Sequence, residues 1–153
     1  MTSIVKKIAC FLPCFIFITL VSRAQEYKTA VGIRLGPSSP AIAAGFTAKH
    51  FLDEKHAVEG MLGINDGIGF GAFYEWYQPI PTVEHLQWYV GPGAYAAYRS
   101  KTAYIGAAGV VGVDYKFQDI PLNISIDWKP ELNFIESVGF EASGVGFAAR
   151  FTF

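Results

Sequence analysis

The sequence predicts an all-β chain: an eight-stranded antiparallel up-and-down transmembrane β-barrel after a cleaved signal peptide. Three observations carry that expectation. Beyond residue 24 the chain falls into eight runs in which apolar side chains alternate with small or polar ones, and most are about ten residues long. Turn residues separate the runs, and little helical periodicity is present. The composition is 52% hydrophobic and 16% aromatic but only 16% charged, whereas soluble domains carry about 25% charged residues. No segment after residue 24 reaches about 18 continuous apolar residues, so this hydrophobicity is not that of a second helical span.

The first 24 of the 153 residues read as a leader. Lys6 and Lys7 form a basic start, residues 8–21 are a nearly uncharged apolar run, and Ser22-Arg23-Ala24 supplies a cleavage site before Gln25. Residues 25–153 are then the barrel domain. Both cysteines, Cys10 and Cys14, fall in the leader, which leaves the mature chain without disulfide or thiol chemistry. Phe11-Leu12-Pro13 lacks the small residues that precede a lipidated cysteine. Losing Lys6, Lys7 and Arg23 leaves nine basic residues against thirteen acidic ones. With no basic stripe, nucleic acid is not an expected partner.

The first run, 27–36, sets Tyr27, Thr29, Val31, Ile33 and Leu35 on one face and Lys28, Ala30, Gly32, Arg34 and Gly36 on the other. Pro37-Ser38-Ser39-Pro40 ends it. A second run covers 41–52 and closes in the charged turn Asp53-Glu54-Lys55. The third, 56–64, places Val58, Gly60, Leu62 and Ile64 on its apolar face. Asn65-Asp66-Gly67 is a hairpin signal, because Asp-Gly accepts positive φ angles. The fourth run, 68–77, alternates Ile68, Phe70, Ala72, Tyr74 and Trp76, and a longer connection, 78–85, follows. Pro92 interrupts the fifth run, 86–98, and demands an edge, a bulge or another irregularity. The sixth, 103–117, has a wholly apolar face from Ile105 to Phe117. The seventh, 122–134, alternates Leu122, Ile124, Ile126 and Trp128 with Asn123, Ser125, Asp127 and Lys129. Residues 135–143 form the last expected loop. The closing run, 144–153, sets Val145, Phe147, Ala149, Phe151 and Phe153 against Gly144, Gly146, Ala148, Arg150 and Thr152. An even count brings the last strand beside the first in antiparallel register, so closure leaves no free edge.

If the apolar face points to lipid, the opposite face must hold the charges. Lys28, Arg34, Lys49, Lys116, Lys129 and Arg150 fall there with Glu59, Glu75, Asp114, Asp127 and Glu131. Near-balanced charges in a low-dielectric interior predict a structural ion-pair network that fills the lumen. The aromatic residues fall near strand ends in two bands, as at membrane interfaces. Tyr27, Phe51, Trp76, Trp88, Tyr115, Phe117 and Phe153 lie at one end, and Tyr98, Tyr104 and Phe134 at the other; Trp128, in mid-run, does not fit.

The closing run, with aromatics at alternate positions and Phe151 and Phe153 at its end, resembles the terminal strand of bacterial outer-membrane barrels. There such an ending is the signal read by the barrel-assembly machinery. Residues 114–117 and 119–130, Asp-Tyr-Lys-Phe and Asp-Ile-Pro-Leu-Asn-Ile-Ser-Ile-Asp-Trp-Lys-Pro, resemble the penultimate hairpin of small outer-membrane β-barrel proteins of Gram-negative bacteria. In size the chain is similar to the OmpX/OmpA-type eight-stranded barrels of the porin-like group. The resemblance implies an outer-membrane location, outer-membrane lipid and the assembly machinery as partners, and no assigned activity or cofactor.

Catalytic signals are weak. His50, His56 and His85 show no ligand spacing on one strand face, so no metal site is expected. The residues two after them are Leu52, Val58 and Gln87, so the H-x-S pair of lipid A-modifying barrels is missing, although Ser125 could be joined from a distant strand. Gly67, Gly69, Gly71, Gly91 and Gly93 lack the helix and lysine of a phosphate loop and read as small lumen-facing residues. The expected role is a non-catalytic envelope protein with a structural or surface-interaction role. The alternatives are a lipid A-modifying enzyme, or a secreted soluble barrel that binds an apolar ligand with its faces reversed.

Overall fold

The computed structural model describes residues 27–37, 42–64 and 66–153. The expected leader, and Ser38, Ser39, Pro40, Ala41 and Asn65 of the expected loops and second run, lie outside the described residues. What is described is entirely strand and connection. The strands are β1 (Thr29–Leu35), β2 (Gly45–Phe51), β3 (His56–Gly63), β4 (Gly67–Pro79), β5 (Leu86–Arg99), β6 (Thr102–Lys116), β7 (Leu122–Trp128), β8 (Glu131–Asn133), β9 (Gly139–Glu141) and β10 (Val145–Thr152). They form eight staves, because β7 with β8 and β9 with β10 are each one stave broken in its middle. Sequential neighbours pair antiparallel throughout, and β1 pairs with β10 from Ala30↔Thr152 to Leu35↔Phe147. The sheet is thus a closed up-and-down barrel, as the alternation of the sequence predicts.

The ring closes with a pronounced stagger. Followed from Val31, the facing residues are Ala48, Gly60, Ala72, Ala94, Ala107, Leu132 and Phe140. The circuit meets the closing stave at Phe140 and not at Phe151, the residue Val31 faces there. That is a stagger of about ten residues, which tilts the strands and leaves a bore that side chains alone can fill.

Alternation decides which residues fill it. In β10 the odd positions Val145, Phe147 and Phe151 stand outside, while Gly146, Ala148 and Arg150 are buried. β4 repeats this, with Phe70, Tyr74 and Trp76 outside and Phe73, Glu75 and Tyr77 inside. Nearest the end that holds residues 42–44, the lumen is filled by Ile42, Met61, Phe73, Tyr95, Ala97 and Val110. Towards the end that holds Tyr27 and Phe153, Tyr77 stacks on Tyr89 (ring centres 4.9 Å) and meets Phe51, which in turn meets Tyr27 (5.3 Å). Phe51 and Tyr27 therefore pack in and across this mouth, whereas Trp76 and Trp88 stand on the outer wall.

Four expectations of strand extent are corrected. The seventh run is not continuous to residue 134. Pro130 has no N–H to give a ladder, and three steps from Trp128 to Glu131 are matched by four from Val145 to Glu141. This is a bulge, and the indole of Trp128 donates to the Ala142 carbonyl across it at 2.7 Å. The expected loop 135–143 is shorter, because Gly139–Glu141 pairs with β8. The second run becomes strand only at Gly45, after Ile42 and Ala43 have turned into the mouth. Pro92 does not break β5, which stays paired to β6 throughout. Its irregularity falls instead on the β4 ladder, where Tyr74 and Glu75 have no paired residues between Phe73↔Gly93 and Trp76↔Val90.

Space at the glycines gives a test of this packing. A Cβ on Gly32 would lie 1.9 Å from the Ala149 carbonyl oxygen and 2.6 Å from the Arg150 Cα, both backbone atoms of the closing stave. On Gly60 it would meet nothing within 4 Å. Gly32→Ala should therefore weaken closure by about 1–3 kcal/mol, while Gly60→Ala should leave it unchanged, as measured by urea unfolding of the refolded protein.

Candidate functional site

The barrel interior is the one place where every stave contributes chemistry. Arg34 comes from β1, Thr47 and Lys49 from β2, Glu59 from β3, Glu75 and Tyr77 from β4, Tyr89 from β5 and Asp114 from β6. Asn123, Ser125 and Asp127 come from β7, Glu131 from β8 and Arg150 from β10, with Lys129 in the break between β7 and β8. All are buried, because each sits at an inward position of an alternating strand.

A continuous chain of opposite charges runs through them. Arg34 donates from Nε and Nη2 to Asp127 Oδ1 (2.9 and 2.6 Å), and to the carbonyls of Ala43 and Gly144. Lys129 Nζ joins Asp127 Oδ2 (3.2 Å) to Glu59 Oε2 (2.7 Å). Glu59 Oε1 then accepts from Arg150 (2.5 Å) and from the Thr47 hydroxyl (2.6 Å). Arg150 also donates to Ser125 Oγ (2.8 Å) and Asn123 Oδ1 (3.4 Å). A second group lies beside it. Lys49 Nζ pairs with Glu75 Oε2 at 2.9 Å, donates to the Tyr77 hydroxyl at 2.5 Å, and stands 4.2 Å from the centre of the Tyr89 ring. Tyr89 donates to Asp127 Oδ2 (3.2 Å), which ties the two groups together. Asn123 Nδ2 donates to Asp114 Oδ1 at 2.5 Å. Glu131 Oε1 accepts from the Ile42 N–H at 3.1 Å and so holds the turned-in segment.

Nine of the eleven charges assigned to the lumen from the sequence are thus brought inside: Arg34, Lys49, Glu59, Glu75, Asp114, Asp127, Lys129, Glu131 and Arg150. The other two lie at the mouth. Lys28 is exposed. Lys116 is half-buried and sets its Nζ 4.8 Å from the centre of the Tyr27 ring. Both sit at strand ends, where the alternation no longer dictates enclosure. Sequence reasoning missed Thr47, Tyr77 and Tyr89, although they lie at the same inward positions as their charged neighbours, and it set Asn123 on the inner face without a place in the network.

The other candidates are dispersed. Ser125 is buried and bonded to Arg150, whereas the histidines stand at the rim that holds Tyr27 and Phe153. His50 meets Thr29 Oγ1 at 2.9 Å, His56 meets Asp53, and His85 meets Gln118. Asp53 accepts from the backbone N–H of Lys55 and from His56, which holds its carboxyl below the usual range. Among the described residues no group of three His, Cys, Asp or Glu side chains could hold a metal ion. Gly69, Gly71 and Gly91 lie at buried positions and Gly67 at an exposed one. Gly93 also lies at an inward position, where a Cβ would meet the Phe73 ring, and beside it Val58, Gly60, Ala72, Tyr74 and Pro92 of the outer wall line an open apolar trough of about 630 Å³. Phe151 and Phe153 both stand outside, 62% exposed, while the Phe153 carbonyl accepts from Lys28 N–H and completes the ring.

No protein-family model matches the chain, and neither does any curated protein sequence.

Removing one partner from a buried ion pair strands the other, which costs about 3–5 kcal/mol. Glu59→Ala, which leaves Arg150 without a carboxylate and Lys129 with Asp127 alone, should lower unfolding stability by about that amount. Lys28→Ala should leave it unchanged in the same urea titration.

Proposed function

We propose that the protein is a small integral outer-membrane β-barrel protein of the Gram-negative envelope, with a structural or surface-interaction role and no catalysis. One observation carries this reading: burial is inverted. Arg34, Glu75 and Arg150 are 0% exposed, whereas Phe70, Ile126 and Phe147 on the outer wall are 63%, 55% and 43% exposed. Water outside and an ionic interior would be unfavourable on both counts. Lipid outside makes the wall favourable, and the closed ladder leaves no strand edge in hydrocarbon. The lumen supports a sealed barrel in place of a diffusion pore, because paired side chains of every stave cross it. Phe151 and Phe153, exposed at the end of the closing stave, fit an assembly signal. The resemblance of residues 114–130 and of the terminal strand to outer-membrane barrels points the same way.

Two measurements test the reading. In outer-membrane fractions the unboiled protein should migrate faster than the boiled protein. A single mobility, with the protein in the soluble periplasmic fraction, would favour a soluble barrel instead. Ile126→Arg, on the outer wall, should cost about 2–4 kcal/mol in a bilayer. A soluble barrel would tolerate the same charge on its wetted surface with little change.

A further inference from the structure

The buried charges of the lumen do not balance. Among the described residues, Glu59, Glu75, Asp114, Asp127 and Glu131 are buried carboxylates, against the buried cations Arg34, Lys49, Lys129 and Arg150. The surplus can be located. Glu59, Glu75 and Asp127 each have a cation within 3.2 Å, Glu75 through Oε2 alone while its Oε1 has no hydrogen-bond partner, and Glu131 accepts a backbone N–H. Asp114, 2% exposed, receives the side-chain amide of Asn123 on Oδ1, and its Oδ2 has no hydrogen-bond partner. Lys116, two residues further along the same strand, directs its ammonium to the Tyr27 ring instead.

We infer that Asp114 is a proton-binding site: its Oδ2 carries a proton in the folded barrel at neutral pH, so that the lumen is sealed in an electrically balanced state. A neutral acid needs no counter-ion, and burying it costs far less than burying an unpaired carboxylate. The charged and titratable groups that act on it are Lys49 of β2, Glu59 of β3, Tyr77 of β4, Arg150 of β10 and Tyr27 at the mouth, with Glu75 beside Lys49 and Tyr77. The two cations among these are already engaged by Glu75 and Glu59. The inference stands on the barrel interior and does not depend on where the barrel resides.

Asp114→Asn copies the protonated acid, with its amide nitrogen where the O–H would be. An acid that folding keeps protonated gives a stability that is fully present below the unfolded-chain carboxylate titration, about pH 4, and that falls as pH rises from there until the folded-state carboxyl ionises. Unfolding temperatures of wild type and Asp114→Asn in detergent should therefore diverge as pH rises above about 4, the wild type falling further. Parallel curves overturn the inference. Infrared spectra of the folded wild type at neutral pH should show a protonated-carboxyl carbonyl band that shifts in heavy water, and Asp114→Asn should lack it. The wild-type band can be read even if the variant does not fold, and its absence overturns the proposal. Replacing sodium and potassium by a bulky organic cation at constant ionic strength should change nothing. A loss of stability there would give the missing positive charge to an alkali ion and overturn the protonated state.

Discussion

Closure of the ring is the constraint on which the rest of this structure depends. Without the pairing of β1 to β10 the sheet would have two free edges, each with a row of unpaired N–H and C=O groups. With it, the last residue is fixed by the first strand: Phe153 gives its carbonyl to Lys28 and its N–H to the Thr29 carbonyl. Closure also makes the inner face finite. A ring of eight staves has only enough bore for side chains, so every inward position must be filled at the right volume and every inward charge must be met. Gly32 and Gly112 give way where the neighbouring backbone or the Tyr89 ring already occupies the space. The ionic chain from Arg34 to Arg150 occupies the remainder.

The architecture was legible because a period of two is a local property. Each strand writes its own inside and outside, and Val145 to Phe153 does so without reference to any other segment. Closure followed from the even number of runs. Partnership was not legible, because the ends of these ion pairs are far apart in sequence: Arg34 meets Asp127, and Arg150 meets Glu59. Which acid takes which base is set by the stagger, and the stagger is a sum over all staves. The same holds for the break at Pro130. A proline announces that something must yield, but only the neighbouring stave decides whether its own strand, as at Pro130, or the ladder beside it, as at Pro92, absorbs the fault. Lys28 and Lys116 escaped for a simpler reason: parity assigns a face, and at a strand end a face is not yet an interior.

The arrangement of polar groups also bears on what the molecule can do. Catalysis by a serine or an acid requires a group that is partly free and within reach of a substrate. Here Ser125 is held by Arg150, and Glu59 is held by Thr47, Lys129 and Arg150. Side chains so constrained fit the structural role proposed for them. Histidines, which could serve as bases, are placed on the rim with partners of their own, away from the buried hydroxyl.

A soluble carrier of apolar ligands would need the opposite distribution. Its cavity would have to be apolar and vacant, and its surface polar. In this barrel the apolar lumen residues, Ile42, Met61, Phe73, Tyr95 and Val110, are already packed against one another near one mouth. The lumen beyond them is ionic, and the large unpartnered apolar surface is the outer wall. Strand parity ties these facts together, since a single reversal of face would have to move Arg34, Glu75 and Arg150 outward along with Phe70, Ile126 and Phe147 inward. The same parity that buries the charges turns the apolar side chains outward, which supports the lipid surroundings proposed for the wall, since there both faces of every stave are favourable at once.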